Sequence, residues 1–297
     1  MRDEDVGDVR DSIRELVAAS GPARAHVSHL KMVYGKGEAE AEALLGFMQG
    51  IRDGGKTLTA DAYPYDASYT GVSILFPEWA LPPSDYVAVR EARRDELRAY
   101  LQQRMEQRNG PDALLFGTGR HAGRTLAQVA AEQDRPFVEV LMELGPGGGS
   151  AAHFVMDQAL QYRLLLDPHV ALGSDGSPGG SHPRSAGTFA KFIEEIVTKR
   201  SRLPLEEAVR KMTSLPASIV GLDNRGTIRP GAKADLVLFD PAAVRARSDY
   251  VHPTTRATGF DLVLVNGQPA YEAGEPVGRS GRLLRRKKNR GDGRPGS

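Results

Sequence analysis

A single carboxylate, Asp175, follows a short apolar run at residues 170–172 and precedes a loop rich in glycine and proline. This pattern is typical of a buried parallel strand that ends at the mouth of a (β/α) barrel, where such barrels keep their catalytic residues. A carboxylate there could bind a metal ion, or take a proton from metal-bound water and later give it to a leaving amine. The alternative is a turn-forming residue, since Asp before Gly is common in turns.

Histidines mark a second predicted strand end, at residues 25–30. His26 and His29 lie three residues apart. Because side chains alternate along a strand, we expect them on opposite faces, with only one at the barrel mouth. His29 is the candidate metal ligand because it lies nearer the strand end, and neutral imidazole is a usual zinc ligand. The alternative for a strand histidine is packing or hydrogen bonding inside the fold.

Tyrosine and arginine side chains could bind a substrate. Tyr63 ends a predicted strand at residues 57–63, before a proline that cannot continue an interior ladder, and its hydroxyl could orient a substrate carbonyl. Tyr65 is expected to pack over the barrel layers instead. Arg184 follows the aspartate loop, and its guanidinium suits bidentate binding of a carboxylate, with a solvated loop arginine as the alternative. The histidines without a partner pattern, predicted to be structural or exposed, are His121, His153 and His252.

Helices and strands alternate around these residues. Apolar spacing predicts helices at residues 9–19 and 38–51, each followed by one of the two strands after a short glycine-containing turn. Helix, strand, helix, strand is the order of a parallel α/β sheet. Further elements are predicted as a helix at residues 158–166, a strand at 169–172, and amphipathic helices at 188–199 and 204–222.

The predicted domain order has three parts. Residues 1–225 are assigned to a barrel, interrupted by an insertion at about residues 70–110, where the alternation of helix and strand breaks. Residues 226–275 are predicted to form a small β domain, because this segment contains two apolar strands. It also contains Asn266 directly before a glycine, which is a strong signal for a β-hairpin turn. Residues 276–297 are predicted to be a disordered, basic tail.

The composition is that of a soluble globular chain of 297 residues, with 40% hydrophobic and 26% charged residues. The formal net charge of +1 gives no reason to expect nucleic acid or a membrane as partner, with RNA contact by the basic tail as a weaker alternative. No cysteine is present, which excludes disulfides, thiol nucleophiles and cysteine-ligated zinc within this chain. Since no signal peptide or membrane span is recognisable, we expect a cytoplasmic protein.

Four segments, in the same order, resemble the N-acyl-D-amino-acid deacylases (D-aminoacylases) of the amidohydrolase superfamily. They are His26–Lys31, Asp61–Tyr65, Gly173–Gly176 with His182–Thr188, and Gly226–Asp240. The first three are the more specific, whereas the last, together with residues 265–267, is a general amidohydrolase ending. The likeness extends from Met1 to about Gly274.

The resemblance implies a metal-dependent (β/α)8 barrel with one or two zinc ions and a small β-sandwich beside it. The implied reaction is hydrolysis of the linear amide of a small-molecule N-acyl-D-amino acid to a carboxylate and a free D-amino acid. His29 resembles a zinc ligand of the fifth strand, and Asp175 the eighth-strand aspartate that contacts metal and acts as general base, then acid. Arg184 resembles the residue that binds the substrate α-carboxylate, and Tyr63 is a further candidate substrate contact.

The chain departs from the family pattern in its metal ligands. It contains no His-x-His pair and no cysteine, which the family places on early strands, and residues 1–4 resemble the segment after the fourth strand. We therefore expect the C-terminal half of the barrel and half of the small domain, as would follow from a start at an internal methionine. Half a barrel has two open sheet edges, so the missing N-terminal half or a second copy of the chain is an expected partner.

Two alternative functions remain at this point. A cyclic amidohydrolase of the hydantoinase or dihydroorotase kind would use a similar barrel and similar strand-end residues on a ring amide. A truncated, non-catalytic remnant could instead act as an interaction module, and it would bind no metal and associate beyond the monomer. Substrate comparison separates the first alternative from deacylation, and metal content separates the second.

Overall fold

The structure, a computed structural model, describes residues 7–177 and 179–284, so residues 1–4 and the predicted tail from residue 285 onward lie outside the described residues. The described strands are β1 (Ala25–Val27), β2 (Leu58–Ala62), β3 (Ser68–Gly71), β4 (Leu114–Phe116), β5 (Ser150–His153), β6 (Val170–Leu172), β7 (Leu236–Phe239), β8 (Phe260–Val265), β9 (Gln268–Glu272) and β10 (Glu275–Pro276). The described helices are α1 (Val9–Ala19), α2 (Gly37–Asp53), α3 (Tyr86–Ala92), α4 (Arg94–Gln107), α5 (Leu126–Glu132), α6 (Phe137–Leu144), α7 (Gln158–Leu166), α8 (Arg184–Phe192), α9 (Leu205–Met212) and α10 (Ser214–Val220). None of these helices combines the length and the apolar character needed to cross a membrane.

A three-stranded parallel sheet in the order β1-β2-β6 forms the centre of the first unit. Ala60 pairs with both Val27 and Val170, so the carboxyl ends of all three strands lie at the same edge of the sheet. The core beside this sheet contains fully buried side chains from the helices, among them Leu44, Met48 and Phe192. The predicted alternation of helices and parallel strands is confirmed in this mixed α/β unit.

The predicted insertion is part of a larger unit than residues 70–110. Strands β3, β4 and β5 form a separate antiparallel sheet in the order β3-β5-β4. The core of this unit includes Leu97, Leu101 and Met105, which are fully buried on one face of α4. Helix α6 packs against α4 and belongs to the same core. The buried face of α4 packs against residues that follow residue 110, and β3 pairs with β5. The unit therefore continues to β5, and the predicted end near residue 110 is too early.

A four-stranded antiparallel sheet in the order β10-β9-β8-β7 follows near the C-terminus. Asn266 and Gly267, with φ of 53° and 79°, form the tight turn between β8 and β9 in the left-handed conformation that this dipeptide adopts readily. Val237 and Leu238 of β7 are 51% and 60% exposed. The predicted β strands of this region are thus present, and their forming a separate small domain or part of a sandwich stays a prediction.

The continuous helix predicted at residues 204–222 is wrong, because α9 and α10 are separate helices that meet at Thr213, where φ and ψ are −131° and −84°. Pro216 lies in the first turn of α10. Its ring and its missing N–H are incompatible with a helix running through from Met212. Helix α8 also begins earlier than the predicted residue 188, and it continues as a π-helical turn at Ile193–Lys199.

The parallel sheet has open edges within the described residues, since β1 and β6 each pair with β2 alone. A cavity of about 380 Å³ borders β1 and is lined by α1 side chains such as Ile13 and Leu16, together with His26 and Val27. That these edges belong to half of a barrel stays a prediction.

Candidate active site

The carboxyl ends of β1, β2 and β6 surround a cavity of about 280 Å³. His29, Asp61 and Asp175 line this cavity, and Pro216 and Val220 of α10 complete its apolar side. The structure therefore brings His29 and Asp175, the two predicted metal ligands, to one cavity. That they bind a metal stays a prediction.

The turn after β1 places His29 at the same cavity that His26, within β1, also lines. Strand β1 ends at Val27, two residues before His29, whose φ of 43° lies in the left-handed region. The His29 N–H donates to Asp61 Oδ1 at 2.8 Å, and the Leu30 N–H donates to the Asp61 carbonyl at 2.7 Å. The prediction that His26 and His29 face opposite sides is wrong, because it assumed a strand that continues to Leu30.

Asp61 connects the two strand ends through both carboxylate oxygens. While Oδ1 accepts from His29, Oδ2 lies 2.8 Å from His26 Nε2, and His26 Nδ1 lies 2.9 Å from Thr59 Oγ1. Strand β6 approaches Asp61 closely, since a Cβ at Gly173 would lie 3.0 Å from Asp61 Oδ1. Asp61 therefore holds the conformation of His29, a role that sequence analysis did not assign. The sequence feature that could have indicated this role is Asp61 itself, a single carboxylate within the predicted strand at residues 57–63.

We expect Asp61→Ala to lower the free energy of unfolding by about 2 kcal/mol, because it removes an acceptor for a main-chain N–H and the partner of Nε2 in half-buried His26. Asp61→Asn is the matched control and should cost less than about 1 kcal/mol, since an amide can accept from His29 and donate to His26. Urea unfolding followed by circular dichroism measures both. Equal losses in the two variants would contradict the hydrogen-bonding role.

Arg184 and Asp175 form an ion pair beside the cavity. Arg184 is the first residue of α8, and its Nη1 lies 2.9 Å from Asp175 Oδ2. The side chain of Arg184 is 9% exposed and that of Asp175 is 34% exposed. The alternative of a solvated loop arginine is therefore wrong. Asp175 lines the cavity, whereas Arg184 is not among its lining residues and is linked to the cavity through this ion pair.

The Tyr63 ring packs against the guanidinium of Arg184. Its ring centroid lies 4.9 Å from Arg184 Cζ, a distance at which a cation and a ring attract each other. The side chain is 1% exposed. The structure thus places Tyr63 next to Arg184, and its predicted contact with substrate stays a prediction.

His182 is buried in an aromatic cluster behind Arg184, and sequence analysis gave it no role. Four tyrosine rings surround it edge-on, and one of them comes from the segment between β7 and β8: Tyr63, Tyr65, Tyr69 and Tyr250. Burial, reinforced by the nearby Arg184 guanidinium, lowers the pKa of His182 to about 3. His182 is therefore neutral at physiological pH. The signal in the sequence was its place between the aspartate loop and Arg184.

Lys31 is a second residue near the strand ends that sequence analysis left without a role. It lies two residues after His29 and is 4% exposed. A lysine this deeply buried is unusual outside functional sites and ion-paired networks. Its position directly after an apolar strand end was the available signal.

The donors near the cavity amount to part of a metal-binding set. Zinc in proteins takes three or four protein ligands, and His29 and Asp175 would supply two. His26 and Asp61 are already bonded to each other. Within residues 7–177 and 179–284, no group of three or more His, Cys, Asp or Glu side chains is arranged to hold a metal ion. The described residues therefore do not by themselves fit a complete zinc site.

Comparison with known proteins identifies relatives. The family model described as "Amidohydrolase family" matches residues 122–271. The D-aminoacylase of Alcaligenes xylosoxydans xylosoxydans is 41% identical over 168 residues, which cover 56% of this chain and 34% of that protein. The N-acyl-D-glutamate deacylase of the same organism is 32% identical over 262 residues, which cover 88% of this chain and 48% of that protein.

A solved structure shows the same fold relationship. The N-acyl-D-glutamate deacylase of Bordetella bronchiseptica, complexed with zinc and a phosphonate mimic of the tetrahedral intermediate, aligns with a TM-score of 0.74 and 29% sequence identity. The alignment covers 93% of this chain and 53% of that one. The chain thus spans about half the length of this protein. It spans 34% and 48% of the lengths of the two curated relatives.

Proposed function

Since the chain belongs to the amidohydrolase family, and to its D-aminoacylase branch, we propose that it carries one side of the active site of an N-acyl-D-amino-acid deacylase. The proposed reaction is hydrolysis of the linear amide of a small N-acyl-D-amino acid to a carboxylate and the free D-amino acid. The named activities of the relatives support this substrate class. The proposed setting is the C-terminal part of a (β/α)8 barrel.

The observation that carries the proposal is the Arg184–Asp175 ion pair of 2.9 Å beside a cavity that His29 also lines. An N-acyl-amino acid has an α-carboxylate that can replace Asp175 as the partner of the Arg184 guanidinium, with two parallel hydrogen bonds. Binding of substrate then frees the Asp175 carboxylate. The arginine would fix the substrate, and the aspartate would become available for chemistry at the amide.

The proposed task of Asp175 is proton transfer. Its free carboxylate takes a proton from the water that attacks the acyl carbon, and gives it to the amide nitrogen as the C–N bond breaks. The products are a carboxylate and an amine, so the proton taken from water ends on the leaving group. Tyr63 holds the guanidinium of Arg184 in place during this step through its ring.

One or two zinc ions are part of the proposal, supported by the zinc in the solved deacylase complex. His29 and Asp175 are the residues of this chain that would hold a metal. A bound zinc ion would supply activation of the attacking water. At least one more donor from outside the described residues is needed to complete such a site.

The alternative of a cyclic amidohydrolase has less support, because an N-acyl-D-glutamate deacylase aligns over most of the chain. The incomplete ligand set is the observation that favours the other alternative, a non-catalytic interaction module. Both alternatives differ from deacylation in measurable ways. A cyclic amidohydrolase would act on a different substrate, and an interaction module would show no turnover.

The test is to assay the purified full chain, with added zinc, for release of free amino acid from N-acetyl-D-amino acids. N-acetyl-L-amino acids, 5-substituted hydantoins and dihydroorotate serve as comparison substrates, and zinc content is measured by mass spectrometry. Deacylation predicts release from the D substrates alone. Ring opening without release would support the cyclic alternative. A chain that binds no zinc and is inactive on every substrate, even after the N-terminal half of a related deacylase is added to supply the missing donors, would support the interaction module.

A further inference from the structure

His182 joins Arg184 to the body of the fold through both ring nitrogens. Its Nδ1 accepts the Arg184 N–H at 3.0 Å, and its Nε2 lies 3.1 Å from the Ala67 carbonyl oxygen. A main-chain N–H can only donate and a carbonyl can only accept. The imidazole is therefore the neutral tautomer with its proton on Nε2. Any other protonation state loses one of the two hydrogen bonds.

The surroundings of His182 prevent its ring from moving. The side chain is 1% exposed, and ring centroids of the four tyrosines lie between 5.1 Å and 6.2 Å from its own. Such edge-to-face contacts are geometrically specific. The imidazole is thus a rigid anchor point.

The main chain on both sides of Arg184 is also held. Pro183 presents its carbonyl to two hydroxyl donors, Tyr65 at 3.3 Å and Ser248 at 3.1 Å. The Thr188 hydroxyl donates to the Arg184 carbonyl at 2.7 Å. These bonds fix the segment before α8, and the His182 bond to the Arg184 N–H sets the residue that carries the guanidinium.

We propose that His182 is a positioning residue for substrate recognition: it acts through Arg184, by fixing the main chain of that arginine so that its guanidinium meets the substrate α-carboxylate. This inference rests on the proposed function and deepens it. Bidentate binding of a carboxylate tolerates little displacement of the guanidinium, so the position of its main chain determines affinity. His182 is not among the residues that line the cavity.

Two substitutions separate the parts of this role. In His182→Asn the side-chain oxygen lies close to the former Nδ1 position and still accepts from the Arg184 N–H. In His182→Phe a ring fills the aromatic cluster but accepts no hydrogen bond. Tyr69→Phe is the matched control, because it removes from the same cluster a hydroxyl that has no hydrogen-bond partner among the described residues.

The kinetic experiment compares an N-acetyl-D-amino acid with the corresponding N-acetylamine, which lacks the carboxylate. We expect His182→Phe to raise KM for the acid roughly 10-fold, as for a lost hydrogen bond to a charged or positioning group, with kcat changed less than about threefold. The same variant should leave kcat/KM for the N-acetylamine within about twofold of the wild type. His182→Asn and Tyr69→Phe should leave both substrates near wild type. Equal losses on the two substrates, no rescue by Asn, or an equal loss in Tyr69→Phe would overturn the proposal.

A second measurement decides the matter independently of turnover. Nitrogen-15 spectra of histidine-labelled full chain should show His182 with its proton on Nε2, and hydrogen exchange of the Arg184 amide should be slow in the wild type and in His182→Asn but fast in His182→Phe. A proton on Nδ1, or equal exchange in all three proteins, would overturn the positioning role. If the chain shows no deacylation but these spectra and exchange rates are as expected, His182 still positions Arg184, and only the proposed substrate of Arg184 is wrong.

Discussion

Asp175→Asn is expected to lower kcat for hydrolysis of an N-acetyl-D-amino acid by about 10³-fold, because an amide cannot take the proton from the attacking water. The carboxamide keeps the shape of the side chain, and its oxygen can still accept from Arg184 Nη1, which lies 2.9 Å from Asp175 Oδ2. The substitution therefore removes basicity with little change in packing. Initial-rate kinetics with zinc present measure the effect, and thermal unfolding confirms that the variant is folded.

Ser174→Ala is the control for the shape of the aspartate loop. Among the residues that the structure describes, the Ser174 hydroxyl accepts a long hydrogen bond, 3.3 Å, from the Gly176 N–H in the same loop. We expect this variant to retain kcat within about threefold, since it leaves the carboxylate in place. Near-full turnover in Asp175→Asn would contradict the proton-transfer role. A comparable loss in Ser174→Ala would show that loop conformation, and not the carboxylate, determines the rate.

Local sequence patterns predicted the elements that position the site. Helices α1 and α7 have the bounds that apolar spacing indicated, and the Asn266–Gly267 turn was recognisable because few dipeptides adopt its backbone conformation. His29 and Asp175 were expected near each other because parallel strands end at one edge of the sheet. These predictions succeeded since each depends on neighbours in the chain or on a general rule of sheet topology.

Contacts between distant segments explain what could not be predicted. The turn that places His29 at the cavity beside His26 depends on Asp61, which lies on the next strand, and no local pattern near His29 indicates this. The environment of His182 includes Tyr250 from the segment before β8, and its buried state follows only from that long-range packing. The extent of the unit around α4 was missed for the same reason.

Acid is expected to destabilise the fold between pH 6.5 and 5 through two buried histidines, His153 and His182. Burial lowers the pKa of each to about 3, and the lowering is reinforced by cations: Arg108, Arg104 and Lys31 near His153, and Arg184, Lys191 and Lys31 near His182. In the unfolded chain a histidine titrates near 6.5. Below that pH the unfolded state binds more protons than the folded state, so stability falls as pH decreases.

The expected slope is up to about 1.4 kcal/mol per pH unit for each histidine, once the pH is well below 6.5. Above about pH 7.5 these rings are almost unprotonated in both states, so the free energy of unfolding should not change on their account. Urea unfolding at pH 7.5, 6.5, 5.8 and 5.0 measures the slope before most carboxylates titrate. His182→Asn and His153→Asn should each remove about one histidine's share, relative to the wild type.

Tyr69→Phe provides the matched control, because it removes a hydroxyl from the cluster around His182 and removes no histidine. We expect its pH slope to equal that of the wild type. If the His182 and His153 variants also kept the full slope, the two rings would not be held neutral in the folded state. The assignment of His182 Nδ1 as the acceptor for the Arg184 N–H would then fail as well, since a charged imidazole has no acceptor to offer.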